Sequence, residues 1–209
     1  MDTDGPVRAK AAIILLFSAA CAGCQWSGFG FHADGPEMPR LEQVLALQPA
    51  SVVADVGAGA GGLTFALAGL VGPSGRVFST EIDAKRLKRL REAAASAKLG
   101  NVTVVEAHSR ETGLPPNCCD AIVLRRVYHH LSDVAEINAS LLQALRPGGL
   151  LAVIDFPPPF FWSRGSLGVP AKAVISEVTA SGFELARFID DWPGRGPLGS
   201  YCVVFRKPP

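Results

Sequence analysis

The segment "VVADVGAGAGGLTFALAGL", residues 52–70, constrains the fold more than any other. A short run rich in valine meets glycines at 57, 59, 61 and 62, and an apolar stretch with helical spacing follows. A strand that passes through a glycine loop into a helix is the opening half of a βαβ unit. Such units commit a chain to a parallel sheet with helices over both faces. The pattern then repeats. "GRVFSTEI", "NVTVVEA", "CDAIVLRRV" and "LLAVIDF" read as strands, and "DAKRLKRLREAAASAKL", "SDVAEINASLLQALR" and "AKAVISEVTASG" as helices. "RLEQVLALQ" suits a short helix before the first strand. Ser132 is the expected cap of its helix, "PGG" a turn at Gly148, and Gly182 the end of the last helix. "FELARFI" and "YCVVFR" are joined by "DDWPGRGPLGS", which has no room for a crossover helix, so these strands pair antiparallel or sit as neighbours with one reversed. The expected class is α/β: a Rossmann-like, mostly parallel sheet with helices on both faces.

The glycines alone do not name a ligand. Gly57, Gly59 and Gly62 satisfy G-x-G-x-x-G, and Gly57, Gly59 and Gly61 satisfy G-x-G-x-G. The same letters serve NAD or S-adenosylmethionine. Asp55, two residues before Gly57, separates the two. A carboxylate beside a pyrophosphate at a helix N-terminus is repulsive. S-adenosylmethionine has no phosphate, and its methionine end carries an ammonium and a sulfonium that an acid favours. Glu81, at the end of the second strand, stands where an acceptor for the two ribose hydroxyls belongs.

These residues resemble a class I S-adenosylmethionine-dependent methyltransferase over residues 41–206. "ADVGAGAG" resembles the family's first motif, "STEID" its acidic ribose motif, and "ALRPGGLLAVID" its turn and fifth strand. The resemblance implies a seven-stranded sheet whose last strand is antiparallel, and S-adenosyl-L-methionine as cofactor. It assigns Asp55, Gly57, Ala58, Gly59 and Gly61 to the methionyl side, Glu81 to the ribose and Ile82 to the adenine. Many relatives carry an aspartate after the third strand. Here the segment reads "EAHSRETGLP"; Glu111 sits late for that role, which leaves His108 or Ser109, and Ser109 is the assigned residue.

The segment after the fourth strand is where acceptors lie. "RRVY", residues 125–128, lacks the Asn/Asp/Ser-Pro-Pro-aromatic sequence of enzymes of this fold that methylate amino groups of bases. The balance of 20 basic and 19 acidic residues gives a net charge of +1, so no basic field invites nucleic acid. The basic segment "KRLKRLRE" reads as a solvated helix face. "VYHHL" resembles a subgroup of small, mostly bacterial predicted methyltransferases with Tyr-His-His at this place. Tyr128, His129 and His130 are the candidate catalytic residues, and an imidazole suits a base near neutral pH. Arg125 and Arg126 could recognise an anionic acceptor, and Asp155 is a further cavity candidate. The expected partner is a small-molecule acceptor. An NAD-dependent oxidoreductase and a non-catalytic envelope binding module are the alternatives.

The expected organisation is a leader over residues 1–24, a linker over 25–39 and the α/β domain over 40–209. Residues 11–20 form an apolar run preceded by Arg8 and Lys10. Its length suits a signal segment and is too short for a bilayer span. "SAAC" and "CAGC" resemble the box at which bacterial lipoproteins are lipidated on cysteine, here Cys21 or Cys24. That points to the cell envelope, with an uncleaved anchor as a second reading and a packed apolar helix as a third; a chain that does not use the leader stays cytoplasmic. The five cysteines show no zinc-site spacing, and no metal site is expected.

Overall fold

The computed structural model describes residues 36–158, 168–194 and 199–209. The leader, all but the end of the linker, and the loop residues 159–167 and 195–198 lie outside the described residues.

Seven strands form one sheet in the order β3-β2-β1-β4-β5-β7-β6. They are β1 (Val52–Val56), β2 (Arg76–Glu81), β3 (Val102–Glu106), β4 (Cys119–Arg125), β5 (Leu145–Asp155), β6 (Glu184–Trp192) and β7 (Ser200–Arg206). The first five are mutually parallel, and β7 runs antiparallel to both β5 and β6. The helices are α1 (Glu37–Val44), α2 (Gly62–Val71), α3 (Ala84–Ser96), α4 (Val134–Ala144) and α5 (Ala171–Ala180). The expected class and the reversed strand are therefore both present.

Strand alternation divides the core. On one face Val53, Ala121, Val123 and Ile154 pack against Leu41 of α1 and Leu63 and Leu67 of α2. On the other, Ala54, Val56, Leu124 and Val153 pack against Leu141 of α4 and Val174 of α5. The buried residues Leu87, Leu90 and Ala94 of α3 form an inward stripe, so the basic side chains between them face water.

Three local expectations are revised. Helix α1 begins at Glu37, ahead of the expected boundary at residue 40, because Glu37 is buried and paired. Ser132 is not the cap of α4; Asp133 holds that place, and Ser132 Oγ donates to Asp133 Oδ2 at 2.9 Å. Gly148 takes the expected positive φ, +76°, but the Pro147–Gly149 corner stands as an irregularity within β5 rather than a turn ahead of it, and Gly148 hydrogen-bonds with Lys207 beyond β7.

Candidate functional site

All five parallel strands end at one edge, and the loop after β1 opens there. Gly57 and Ala58 both donate N–H bonds to Thr80 O, at 3.0 and 2.9 Å. Gly59 N–H donates to Glu81 Oε2 at 3.0 Å, and Gly61 N–H to Ala58 O at 2.9 Å. The loop is thus stitched to the end of β2. Gly57 (φ +73°) has Val127 against it, where a Cβ would lie 2.6 Å from Cγ2. Gly59 (φ +58°) faces open space, with nothing within 4 Å of an added Cβ. Gly61 serves packing: a Cβ there would lie 2.5 Å from Leu90 Cδ1 and 2.8 Å from Phe65 Cε2.

Glu81 is buried and accepts from Ile82 N–H and Asp83 N–H on Oε1, at 2.9 and 3.0 Å. Those two bonds fill the lone pairs of Oε1, while Oε2 accepts only from Gly59 and keeps acceptor capacity. Beside it Ile82 is 61 % exposed, an apolar side chain turned outward at a cavity rim.

The cavity has a volume of about 420 Å³, within the range of small-molecule sites. Gly57, Glu81, Ile82 and Ser109, four residues expected from sequence, line it together. His108 and Glu111 line it too. A tight turn makes this possible, since His108 N–H donates to Glu111 O at 2.9 Å and folds Glu111 back. Glu111 is therefore not too late in the chain to reach the cavity. Thr80 Oγ1, at the cavity wall, is buried without a hydrogen-bond partner among the described residues. The sequence reading passed over Thr80, although its place one residue before Glu81 puts it on the face that Phe78 shares. The residues present fit an adenosine-bearing ligand such as S-adenosylmethionine, with the apolar Ile82, the Glu81 carboxylate and Gly57 in one recess.

Asp55 departs from expectation. It is 2 % exposed and does not line the cavity. Alternation puts it on the α2 face of β1 with Val53, where Thr64 Oγ1 donates to its Oδ2 at 2.7 Å and Ser79 Oγ lies 2.8 Å from the same hydroxyl. Burial pushes its carboxyl up to about 6, against the opposing Thr64 hydrogen bond and Arg125 charge. Ala58, Gly59 and Gly61 shape the loop rather than line this cavity.

The Tyr-His-His residues form a 3-10 turn over Tyr128–His130, and the three side chains part company. Tyr128, expected at the site, is 1 % exposed in the core, and its hydroxyl accepts from Asn138 Nδ2 at 3.0 Å. His129 is buried with Nδ1 at 2.9 and 3.0 Å from the two Asp155 oxygens, and its N–H also donates to Oδ2 at 3.2 Å. His130 is exposed and lines the cavity, its ring centroid 3.9 Å from that of His129. Partial burial and the neighbouring His129 lower its pKa, which keeps it neutral near pH 7. Among the described residues no group of three His, Cys, Asp or Glu side chains could hold a metal ion.

A sheet of order 3-2-1-4-5-7-6 with one reversed strand, a glycine loop after β1 and an acid after β2 defines the class I methyltransferase architecture. Residues 54–153 match the family model described as a methyltransferase domain. That match supports S-adenosyl-L-methionine as the cofactor. A ubiquinone/menaquinone biosynthesis C-methyltransferase UbiE from Cronobacter sakazakii is 34 % identical over 110 residues, 52 % of this chain and 44 % of that protein. The chain thus spans less than half the length of that relative. Among solved structures, a SAM-dependent methyltransferase from Aquifex aeolicus has a TM-score of 0.70 at 21 % identity, covering 81 % of this chain and 88 % of that one. The [4+2]-cyclase SpnF has a TM-score of 0.69 at 17 % identity, covering 81 % of this chain and 79 % of that one. These two likenesses establish the fold alone.

Proposed function

We propose that this chain is an S-adenosyl-L-methionine-dependent methyltransferase acting on a small-molecule acceptor. The observation that carries the reading is the fate of the loop N–H groups. A dinucleotide pyrophosphate needs free N–H groups in the glycine loop. Here Gly57, Ala58, Gly59 and Gly61 all donate internally, one of them to the Glu81 carboxylate. A pyrophosphate would find only the N–H groups at the start of α2, which supports a ligand without phosphate. This replaces the argument from Asp55, whose carboxylate is sealed beneath the loop.

When bound, S-adenosylmethionine supplies an electrophilic methyl on a sulfonium. The chain's residues then have to orient the acceptor, exclude water and take a proton where the acceptor has one to lose. Asp155 fixes the proton of His129 on Nδ1, which leaves the Nε2 lone pair as the base and stabilises the imidazolium once it forms. With the donor held there, His129 Nε2 would be the group that takes a proton from an acceptor that has one to lose. His130, neutral and at the cavity wall, takes a positioning role. Calorimetry of the full chain tests the reading: S-adenosylhomocysteine should bind and NAD should not, and the reverse pattern would overturn it.

The apolar run over residues 11–20 and the cysteines at 21 and 24 support a second proposal, attachment to the cell envelope through a lipoprotein-like leader. Membrane fractionation and mass spectrometry of the chain expressed in a bacterium test it; an intact soluble chain would refute it.

A further inference from the structure

Two polar groups at the carboxyl edge of the sheet have no part in the donor cavity. The first is Arg126, immediately after β4. Its φ is +58°, a left-handed conformation that is strained in a non-glycine residue and recurs at functional sites. Its N–H donates to Ile154 O at 2.7 Å, which fastens the strained residue to the end of β5. Its neighbour Arg125 is paired with Glu37 at 2.8 Å, but the Arg126 guanidinium has no hydrogen bond or ion pair among the described residues. The second group is Ser200, the first residue of β7. It is 4 % exposed, and its Oγ is buried without a hydrogen-bond partner among the described residues. Buried hydroxyls are normally hydrogen-bonded, so an orphaned one at a functional edge points to a missing ligand.

The two converge. A Cβ added at Gly194 would lie 2.9 Å from Arg126 Nη2 and 3.1 Å from Ser200 Oγ. Because β7 is antiparallel to β5, its first residues stand at the edge where β5 delivers Asp155, and Asp155 pairs in register with Tyr201, next to Ser200. Arg126 and Ser200, both packed against Gly194, therefore share that edge with the His129–Asp155 pair. A planar fork of N–H donors and one hydroxyl donor match an anion with two oxygens in a plane. One guanidinium and one hydroxyl are too few donors for the three oxygens of a phosphate monoester.

We propose that Arg126 and Ser200 hold a carboxylate of the methyl acceptor, so that the acceptor of this protein is a small carboxylic acid. The proposal rests on the methyltransferase reading above. It explains why a strained arginine, unpaired among the described residues, stands beside a paired one.

The test is calorimetry of the full chain with benzoate, 4-hydroxybenzoate and hexanoate and with the three matching amides, each in the presence and absence of S-adenosylhomocysteine. At least one acid should bind about tenfold or more tightly than its amide, the size of one charge-assisted contact. Arg126→Gly removes the guanidinium and is at ease at φ +58°, so the fold should hold while the acid preference disappears. Arg126→Lys should keep part of it, and Ser200→Ala should weaken acid binding several-fold. S-adenosylhomocysteine affinity should not change in any of the three variants. Acids and amides that bind alike, or a preference that survives Arg126→Gly, would overturn the proposal. A parent chain that fails to bind S-adenosylhomocysteine would instead overturn the methyltransferase reading, since the acid–amide comparison is also read without it.

Discussion

Asp55→Asn isolates the electrostatics of the buried acid beneath the glycine loop. Burial raises the Asp55 carboxyl from its usual 3.8 to about 6. The unfolded chain releases that proton near 3.8, and the folded chain holds it until about pH 6. Between those values the folded state binds more protons, so stability falls as pH rises through the window. The gap corresponds to about 3 kcal/mol, fully expressed above about pH 6 and absent well below the unfolded value. Asparagine cannot ionise, yet its side-chain oxygen can still accept from Thr64 Oγ1. The unfolding free energy of Asp55→Asn relative to the parent should therefore rise by about 2.4 kcal/mol between roughly pH 4 and pH 7.5. Urea melts of both chains at a series of pH values measure this, and equal m-values would show that the same surface unfolds in each. A difference that stays constant across that range would refute the reasoning, because Asp55 would then titrate alike in the folded and unfolded chains.

Other outcomes follow from single contacts. Glu37→Ala removes the acceptor of both Arg125 Nη1 and Trp192 Nε1 and should cost about 3 kcal/mol, with Glu37→Gln costing less; a urea melt showing no loss for alanine would mean that α1 docks without this pair. Gly57→Ala drives a Cβ into Val127 and should cost about 2 kcal/mol, whereas Gly59→Ala, with open space but the same kind of φ, should cost about 1; equal melting losses would contradict the packing difference. Nitrogen-15 NMR of neutral His129 should show the proton on Nδ1, and Asp155→Asn should release that preference; a proton on Nε2 in the parent would remove the base role.

Much of the fold was legible in the sequence because each strand and helix carries its own period. The valine-rich runs, the glycine loop and the lack of a crossover between β6 and β7 are local signals, and they led to the parallel sheet with a reversed strand. Gly57 and Glu81 were placed at strand ends by local pattern, and Ile82 and Ser109 by the family resemblance; the structure brings all four to the lining of one cavity. Other features were not legible. Glu37 meets Arg125 across 88 residues and Trp192 across 155, and no local pattern announces either partner. The start of α1 was misplaced for that reason. Tyr128 and Asp55 carry letters suited to a site, but the faces on which they emerge bury both.

The sequence by itself determined the element order, the reversed strand, the glycine loop and the acid that closes β2, because these depend on neighbours within a few residues. The tertiary structure alone decided which polar groups are spent and which are left over. Glu81 is filled on one oxygen and Oε2 keeps room; His129 takes the Asp155 carboxylate, while the Arg126 guanidinium and Ser200 Oγ are left without partners among the described residues. Hydrogen bonds between residues tens of positions apart form only once the sheet sets its register, and register is a property of the assembled strands rather than of any one of them.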